Sequence, residues 1–548
     1  MKTKFNRILL ATAALSLLWA GSVHLRAATT TLFVTNTADS GPGSLRAALA
    51  GAGDGDTIDA TGVSGTIILT NGQLAVSRGV TVLGPGAAVL TVSGNHASRV
   101  FNVTGANVTI RSLTIADGQS AQSGAGINAS GNSGSVIAVT DCIFTNNGTL
   151  LDGGGICDNP GVTMTISNCT VSGNSATGAG GGIVNNNSTV TLVASTMTGN
   201  SANLGGAIFN EGASPSGTLT ILASTLNNNS ANYGAAIYTG SGGSGNATVT
   251  IASSTLSDNS GHESINNDCY WGGTATLKIN ASTFSHEKIF NDGGTLETGD
   301  TIFNACVPPS AANLINRGGA ITSCGYNLSS DDGGGFLTNA TDQINTDPKL
   351  GSLQNNGGPT PTHALLAGSP ALDKGKRDAV QALAVNLDQR GFARPVDDPF
   401  LGNAAGGDGS DIGAFESQSG TDTDADGLPD SWELTYFGGL STCATDDPDG
   451  DGQNNLFEYV AGLNPTNPAS VFQVRVENVT GQPDQKKLTF KPWVSGRTYT
   501  PEFTTNLTAA FAPLTGDTTS VTNDTEVVVT DLNAGGAARY YRIRLSLP

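Results

Sequence analysis

Charged residues are scarce in this sequence. Only 13% of its 548 residues are Asp, Glu, Lys or Arg, about half the share of roughly 25% in an average soluble protein. Neither Lys nor Arg occurs between Arg111 and Lys278, and the formal charge of the whole chain is −20. Proteins that bind nucleic acid need clustered basic side chains, so the composition excludes that class of partner.

Long hydrophobic runs are also scarce, and the longest stands at the N-terminus. Residues 8–23 are apolar, a run shorter than the ~20 residues of a membrane span. Basic residues precede it, and Ala27 and Ala28 follow it as small residues at a cleavage site. This pattern predicts a Sec signal peptide at 1–27, with an uncleaved membrane anchor as the alternative. Without the leader, 21 basic and 45 acidic residues leave a formal charge of −24 and no predicted transmembrane segment.

The seven cysteines are an odd number and cannot all pair. Cys306 and Cys324 flank one loop-like stretch and are the favoured disulfide. Cys142 and Cys169 stand at equivalent positions of neighbouring repeats, at a distance that a disulfide also permits. Because serine fills this position in later repeats, a reduced column of small inward-facing residues is favoured there.

An internal repeat occupies the middle of the chain. Hydrophobic residues at spacings of 26–30 close short β-prone runs: Ile115, Phe144, Val171, Met197, Leu226, Leu256 and Phe284. Apolar residues also stand seven and five positions before each of them, and an isoleucine follows about twelve positions later. Three short strands per ~28-residue turn predict a parallel β-helix, because only stacked turns bury a continuous core. The positions seven and five before the closing residue share one strand face, and the closing residue shares another face with the position two before it. This change of face predicts a bend or bulge between the positions five and two before the closing residue.

Other repeating folds fit this period less well. A sandwich has no constant period, and a propeller blade needs ~40–45 residues. The crossover rule favours a right-handed coil.

A polar column lies three residues after each closing residue: Gly118, Asn147, Asn174, Asn200, Asn229, Asn259 and Glu287. Asparagine suits a bend because its side chain bonds nearby backbone and tolerates the left-handed conformation. Stacked amides also bond one another. We therefore expect a structural ladder rather than a row of ligand-binding amides.

The repeat resembles that of the polymorphic membrane proteins, the β-helical passenger domains of bacterial autotransporters. The resemblance rests on FTNN at 144–147 and on GGAI at 205–208 with its variants, and it covers about 108–290. It implies surface exposure. The C-terminus departs from that family, because the chain ends in a short domain rather than in a membrane barrel.

Two flanking segments resemble other exported bacterial proteins. Residues 34–58 are similar to the opening segment of secreted β-helix proteins, where Ser44 would cap a short helix at 45–49. The words GYNLSSDDGGGFLT, DPKLGSLQNNGGPTPTHALLAGSPALDKG and DQRGFARP…DIGAFE between 325 and 416 resemble the choice-of-anchor Q domain. That resemblance implies an exported surface protein and no chemistry.

Two acidic loops follow this region in the same frame. Oxygen ligands at loop positions 1, 3, 5, 7, 9 and 12, with glycine at position 6, wrap one Ca²⁺. The first set is Asp422, Asp424, Asp426, the Leu428 carbonyl, Asp430 and Glu433. The second set is Asp447, Asp449, Asp451, the Gln453 carbonyl, Asn455 and Glu458. The segment resembles thrombospondin type 3 and dockerin-like calcium repeats, and we expect bound Ca²⁺ to rigidify a joint between modules.

Few residues of the sequence suit catalysis. Lyases that act on uronates need a base and cations, which the wall between Arg111 and Lys278 lacks. Asp152 and Asp158 are a candidate carboxylate pair for an inverting hydrolase, without a familiar motif. The other candidates are His262–Glu263 and His286–Glu287–Lys288, which we interpret as loop decoration.

The sequence thus predicts an all-β protein in six parts. These are a signal peptide at 1–27, an N-terminal cap with first coils at 28–105, β-helix repeats at 106–324, a choice-of-anchor Q-like region at 325–416, paired calcium loops at 417–470 and a β-sandwich-like module at 471–548. The predicted role is non-catalytic adhesion or display at the bacterial surface, with an extracellular glycan or protein as ligand. The alternative is a polysaccharide lyase or glycosidase on the same fold.

Overall fold

The computed structural model describes residues 29–130, 134–214, 216–242, 244–304, 312–418, 420–516, 518–522, 526–536 and 538–547. The predicted signal peptide and Cys306 lie outside these residues. Within them, no helix is long and apolar enough to span a membrane.

Most of the described chain winds into a parallel β-helix of about eleven coils, which confirms the predicted fold. Each coil contributes one strand to each of three parallel sheets. Sheet A contains Thr31–Phe33, Thr57–Asp59, Thr81–Leu83, Val108–Arg111, Val136–Thr140, Thr163–Ser167, Thr189–Val193, Gly217–Leu222, Asn246–Ala252, Thr274–Asn280, Thr295–Gly299 and Ala320–Ser323. Sheet B contains Gly65–Ile68, Leu90–Ser93, Thr114–Ala116, Ile143–Thr145, Thr170–Ser172, Thr196–Thr198, Thr225–Asn227, Thr255–Ser257, Thr283–Ser285, Ile302–Asn304 and Leu328–Ser329. Sheet C contains Leu74–Val76, Phe101–Val103, Ile127–Ala129, Ile156–Asp158, Ile183–Asn186, Ile208–Gly212, Ile237–Gly242, Ile265–Trp271, Ile289–Asp292 and Leu314–Arg317.

A fourth, short ladder lies in the turn between sheets B and C. Its strands are Gln119–Ser120, Gly148–Thr149, Ser175–Ala176, Ser201–Leu204 and Ser230–Tyr233.

The bend between sheets A and B is a single residue in the left-handed conformation, as the parity change predicts. It recurs at one position of nine described coils, with φ between 45° and 58°: Ser112, Asp141, Asn168, Ala194, Ala223, Ser253, Ala281, Asp300 and Tyr326. Alanine and serine rarely adopt positive φ, so the stacked neighbours impose this bend on their coils.

The interior of the β-helix is one hydrophobic cluster. The apolar columns of all three sheets are buried, with Ile115, Phe144 and Ile127 fully inaccessible to solvent. Each such side chain contributes roughly 1.5–3 kcal/mol by leaving water. The N-terminal end is covered by helix α1 (Leu45–Gly51), whose first turn is capped by the Ser44 hydroxyl as expected; Ser44 accepts a bond from the Ala47 N–H at 3.2 Å.

The predicted asparagine ladder lies inside the corner that follows sheet B. Each side-chain N–H donates to the oxygen in the next coil, at 2.8 Å from Asn147 to Asn174 and 2.9 Å from Asn174 to Asn200. The series continues at 2.9 Å to Asn229, and at 2.8 Å for both the step to Asn259 and the step to Glu287. All its members are buried, so their amides are satisfied within the stack.

The column that begins with Cys142 and Cys169 holds reduced thiols, which confirms the favoured interpretation. The Cys169 N–H donates to Ser195 Oγ at 3.0 Å, and the Ser195 N–H donates to Ser224 Oγ at 3.1 Å. Small residues are required here because each side chain accepts from the backbone of the preceding coil.

Residues 347–416 turn back along the β-helix and cover part of sheet B, after a short 3-10 helix at Gly333–Gly335. The Gln389 side chain bonds the hydroxyls of Thr225 and Thr255 at 2.8 and 2.6 Å. Arg394, which is fully buried, lies 3.6 Å from the Asp300 carboxylate and 3.1 Å from that of Glu416. We call this stretch the returning segment; Asp300 belongs to the β-helix, so the ion cluster fastens one to the other.

Two short helices and an antiparallel module complete the described chain. Helix α2 (Asp430–Phe437) and helix α3 (Asn455–Ala461) each follow an acidic loop. The C-terminal module has a four-stranded sheet of Gln473–Val479, Gln482–Lys491, Glu526–Asp531 and Thr518–Thr522. Its three-stranded sheet contains Ala512–Pro513, Thr498–Thr504 and Tyr540–Ser546. Trp493, Tyr499 and Tyr541 pack against its core, whereas Tyr540 is exposed.

Replacing one ladder amide tests its contribution to stability. We expect Asn200→Ala to lower the free energy of unfolding by about 3 kcal/mol, because it leaves buried partners on both neighbouring coils unsatisfied. The control is Asn232→Ala, which removes an exposed amide bond to Asn203 and should cost under about 1 kcal/mol. Urea denaturation measures both free energies of unfolding. Equal losses in the two variants would contradict a larger contribution from the buried ladder.

The end of the ladder predicts a pH dependence. Burial raises the pKa of Glu287 to about 8, so the folded state holds a proton that the unfolded state releases near its ordinary value. Stability should therefore fall as the pH rises from about 4.5 to about 8. Glu287→Gln should remove this pH dependence. The stability of the variant relative to the parent chain should therefore be greater at pH 8 than at pH 5. Urea midpoints at both pH values measure the difference, and parallel profiles would contradict it.

Candidate functional site

The first acidic loop brings three of its predicted ligands together. Oxygens of Asp422, Asp424 and Asp426 lie within 4.8 Å of one another. Asp422 Oδ2 accepts from the Gly427 N–H at 2.9 Å, and Asp426 Oδ1 accepts from the Leu428 N–H at 2.8 Å. Gly427 has a φ of +99°, the conformation that favours glycine at the sharp turn.

The second loop repeats this geometry. Oxygens of Asp447, Asp449 and Asp451 also lie within 4.8 Å of one another. The bonds from Gly452 N–H to Asp447 and from Gln453 N–H to Asp451 measure 2.9 and 2.8 Å, the same as their counterparts in the first loop. Two loops 25 residues apart thus adopt one backbone conformation.

The glutamates at position 12 of the loops are buried without partners. Among the described residues, no hydrogen-bond donor reaches either carboxylate oxygen of Glu433 or of Glu458, or Oδ2 of Asp449 or of Asp451. Burial, and after it the neighbouring acids, raise the pKa of Glu433 and of Glu458 to about 7. A buried carboxylate is costly unless it is paired or bound to a metal. Hard oxygen donors in this state fit a divalent cation such as Ca²⁺.

The position 9 residues are placed differently from the other predicted ligands. Asp430 accepts bonds from the Thr423 N–H and hydroxyl, the former at 2.7 Å, so its carboxylate is engaged within the loop. Asn455 donates to the Cys443 carbonyl at 2.9 Å, while its own buried oxygen receives no hydrogen bond from the described part of the chain. The two loops therefore differ at position 9.

The two loops are connected through one short segment. The Ala444 N–H donates to Asp426 Oδ2 of the first loop at 2.6 Å, next to the Cys443 carbonyl that Asn455 of the second loop contacts. Trp432 of α2 and Tyr459 of α3 pack edge to face at 5.8 Å between ring centroids. The loops and helices therefore form one unit, which we call the calcium-loop unit.

The β-helix carries a separate acidic recess. The turn between the asparagine ladder and sheet C has seven residues at 230–236, five at 260–264 and only Lys288 in the following coil. This shortening leaves a recess of about 370 Å³ lined by Asp258, Glu263, His286 and Lys288.

Both histidine clusters of the sequence lie beside this recess. His286 Nδ1 lies 2.7 Å from Asp258, and His262 Nδ1 lies 2.6 Å from Glu263. Glu287 does not join His286, because it ends the asparagine ladder inside the coil.

The candidate carboxylates Asp152 and Asp158 each accept a hydrogen bond from the coil that follows. Asp158 is fully buried and accepts from the Asn186 N–H at 2.6 Å, and burial raises its pKa to about 8. Asp152 bonds the Ala179 N–H at 2.8 Å. Both carboxylates serve the backbone of the next coil.

Sequence reasoning missed a second buried amide column in sheet C. Asn185 donates to Asn210 at 2.6 Å, and Asn267 donates to Asn291 at 2.8 Å. Thr239 separates these pairs within the column, which interrupts the sequence signal.

The β-helix of this chain is similar to known proteins. Residues 78–255 match the family model described as right handed beta helix region. The repeat is a right-handed β-helix. Among solved structures, a PL6 alginate lyase in complex with a trisaccharide resembles this β-helix protein, with 9% identity, a TM-score of 0.33, and coverage of 66% of this chain and 95% of the lyase chain. A similarity of this size carries no inference about activity. No curated protein matches the sequence.

Calcium titration tests the loops directly. By isothermal titration we expect the mature chain to bind two Ca²⁺, in the range of ~10⁻⁴–10⁻³ M typical of extracellular modules. Asp424→Ala and Asp449→Ala should each remove one ion, because each deletes a ligand of one loop. Asp378→Ala, an exposed acid outside the loops, should leave both. No uptake in millimolar calcium would refute the assignment.

Proposed function

We propose that the mature chain is an exported, non-catalytic surface protein. The β-helix acts as a rigid stalk, and calcium held by the calcium-loop unit sets the orientation of the C-terminal module. The wall of the stalk has neither Lys nor Arg between Arg111 and Lys278, which disfavours acidic polysaccharide as a substrate.

The observation that carries this proposal is the position of the calcium-loop unit between its neighbours. On one side, the Phe400 ring of the returning segment lies 6.1 Å from that of Tyr459. On the other, Gln453 exchanges bonds of 3.1 and 3.0 Å with the backbone of Phe472. Arg497 of the C-terminal module donates to the Val460 carbonyl at 3.1 Å. Metal binding in the loops would therefore fix a joint.

The sequence resemblances supply the expected setting. Similarity to the choice-of-anchor Q domain and to the polymorphic membrane protein repeat supports a location at the bacterial surface or outside the cell. The thrombospondin type 3 and dockerin-like resemblance supports Ca²⁺ in the loops. An extracellular glycan or protein is the proposed ligand, in an adhesion or display role.

The acidic recess favours a second candidate, a polysaccharide lyase or glycosidase. Asp258, Glu263 and His286 lie there beside Lys288, a combination that can supply acid and base groups. Two observations disfavour this candidate. Both imidazoles beside the recess are already paired with carboxylates, and a shortened turn is sufficient to explain the recess.

An activity panel separates the two candidates. The mature chain in calcium is incubated with neutral and acidic polysaccharides, and reducing ends and the ultraviolet absorbance of unsaturated products are measured. We expect no product above the buffer control, because the stalk wall between Arg111 and Lys278 has neither Lys nor Arg to bind an acidic polysaccharide. Cleavage that His286→Ala abolishes and His96→Ala, an exposed histidine away from the recess, retains would overturn the non-catalytic proposal.

A further inference from the structure

A cavity of about 270 Å³ lies between the returning segment and helix α2. Its walls are largely aliphatic, with Leu365, Leu372, Val396 and Leu401 from the returning segment and Leu434 from α2. Small-molecule sites are typically concave and apolar, with a few convergent polar groups. This cavity has that composition and lies apart from the recess, and only Asp430 and Ser431 at the end of the first acidic loop reach its wall.

The charged residues of the cavity are mostly acidic. Four aspartates line it, Asp373, Asp398, Asp411 and Asp430, against the single basic residue Lys374. This imbalance favours a cationic occupant over a neutral or anionic one.

Lys374 does not neutralise the cavity. Its ammonium donates to the Gly402 carbonyl, and no ion pair joins it to a carboxylate within the described residues.

Asp373 carries the acceptor that a ligand would use. The residue is 1% exposed. Its Oδ2 accepts from the Asp398 N–H at 3.0 Å, while Oδ1 receives no hydrogen bond from any described residue. The Asp411 carboxylate, in contrast, accepts from the N–H groups of Asp373 and Ser417 at 2.8 and 2.6 Å. Burial raises the pKa of Asp373 to about 7, and a cation at Oδ1 would offset that cost.

We propose that this cavity binds an alkylammonium group, with its ammonium donating to Asp373 and its aliphatic chain packed among the leucines. A free aliphatic amine and a lysine side chain both offer this chemistry. The structure assigns the contact to Asp373 because the other fully buried acid of the cavity, Asp411, is already satisfied by backbone donors.

Titration of the full mature chain in millimolar calcium tests this proposal, with n-hexylamine, 1-hexanol and hexanoate as probes. Hexylamine should bind about tenfold or more tightly than hexanol, as a charge-assisted bond implies, and hexanoate should bind least. Asp373→Asn should erase the preference for the amine, and Asp378→Asn should retain it. Hexylamine that binds no tighter than hexanol, or that binds Asp373→Asn unchanged, would overturn the proposal.

Two further arms complete the test. Nα-acetyl-lysine amide that binds within tenfold of hexylamine would support the site with lysine side chains as a source, and amine binding without it would support free amines. If Asp373→Asn does not fold, Leu434→Trp replaces it, because Leu434 is only partly buried and a larger ring fills the cavity. Loss of hexylamine binding with an unchanged circular dichroism spectrum supports the site, and retained binding refutes it.

Discussion

Five successive coils of this β-helix, those of Asn147 to Asn259, must each place a buried amide within hydrogen-bond reach of the next coil. An unsatisfied buried amide costs about 1–3 kcal/mol, so a slip of one residue in any coil would break bonds on both sides. The asparagines from Asn147 to Asn259 satisfy one another in series, and Glu287 ends the series by accepting from Asn259. The register of the three sheets, and with it the burial of the apolar columns, depends on this constraint.

The bend between sheets A and B and the corner at the asparagine ladder keep a constant spacing, whereas the turns before and after sheet C vary in length. The left-handed residue between sheets A and B and the asparagine after sheet B recur at constant spacing from their strands. The turn before sheet C shrinks from seven residues at 230–236 to the single Lys288. Variation is tolerated there because the backbone of that turn lies at the surface, and the recess with its histidine–carboxylate pairs is the result.

The sequence predicts the parts that repeat. A period near 28 residues gives the three sheets, the bend and the asparagine ladder, since one mistake in phase would show in every coil. The acidic loops could also be predicted from the sequence, because their oxygen ligands lie close together along the chain. Their assembly into one unit through Ala444 and the Cys443 carbonyl could not be predicted in this way.

Long-range contacts were beyond sequence reasoning for a physical reason. The returning segment contacts sheet B through side chains such as Gln389 and Thr225, which are 164 residues apart and follow no period. The same holds for Arg394, whose carboxylate partner Asp300 belongs to a different part of the chain. His286 pairs with Asp258 of the preceding coil rather than with its sequence neighbour Glu287, because Glu287 points into the core.

The central claim is a rigid stalk whose coils are held by buried amides and whose calcium dependence is confined to the joint. Native-state hydrogen exchange of the mature chain, with calcium and with chelator, tests it most directly. The account predicts slow exchange across 144–260 in both conditions and protection of 422–461 only with calcium. Fast exchange across the ladder coils, or protection of the joint that ignores calcium, would contradict it.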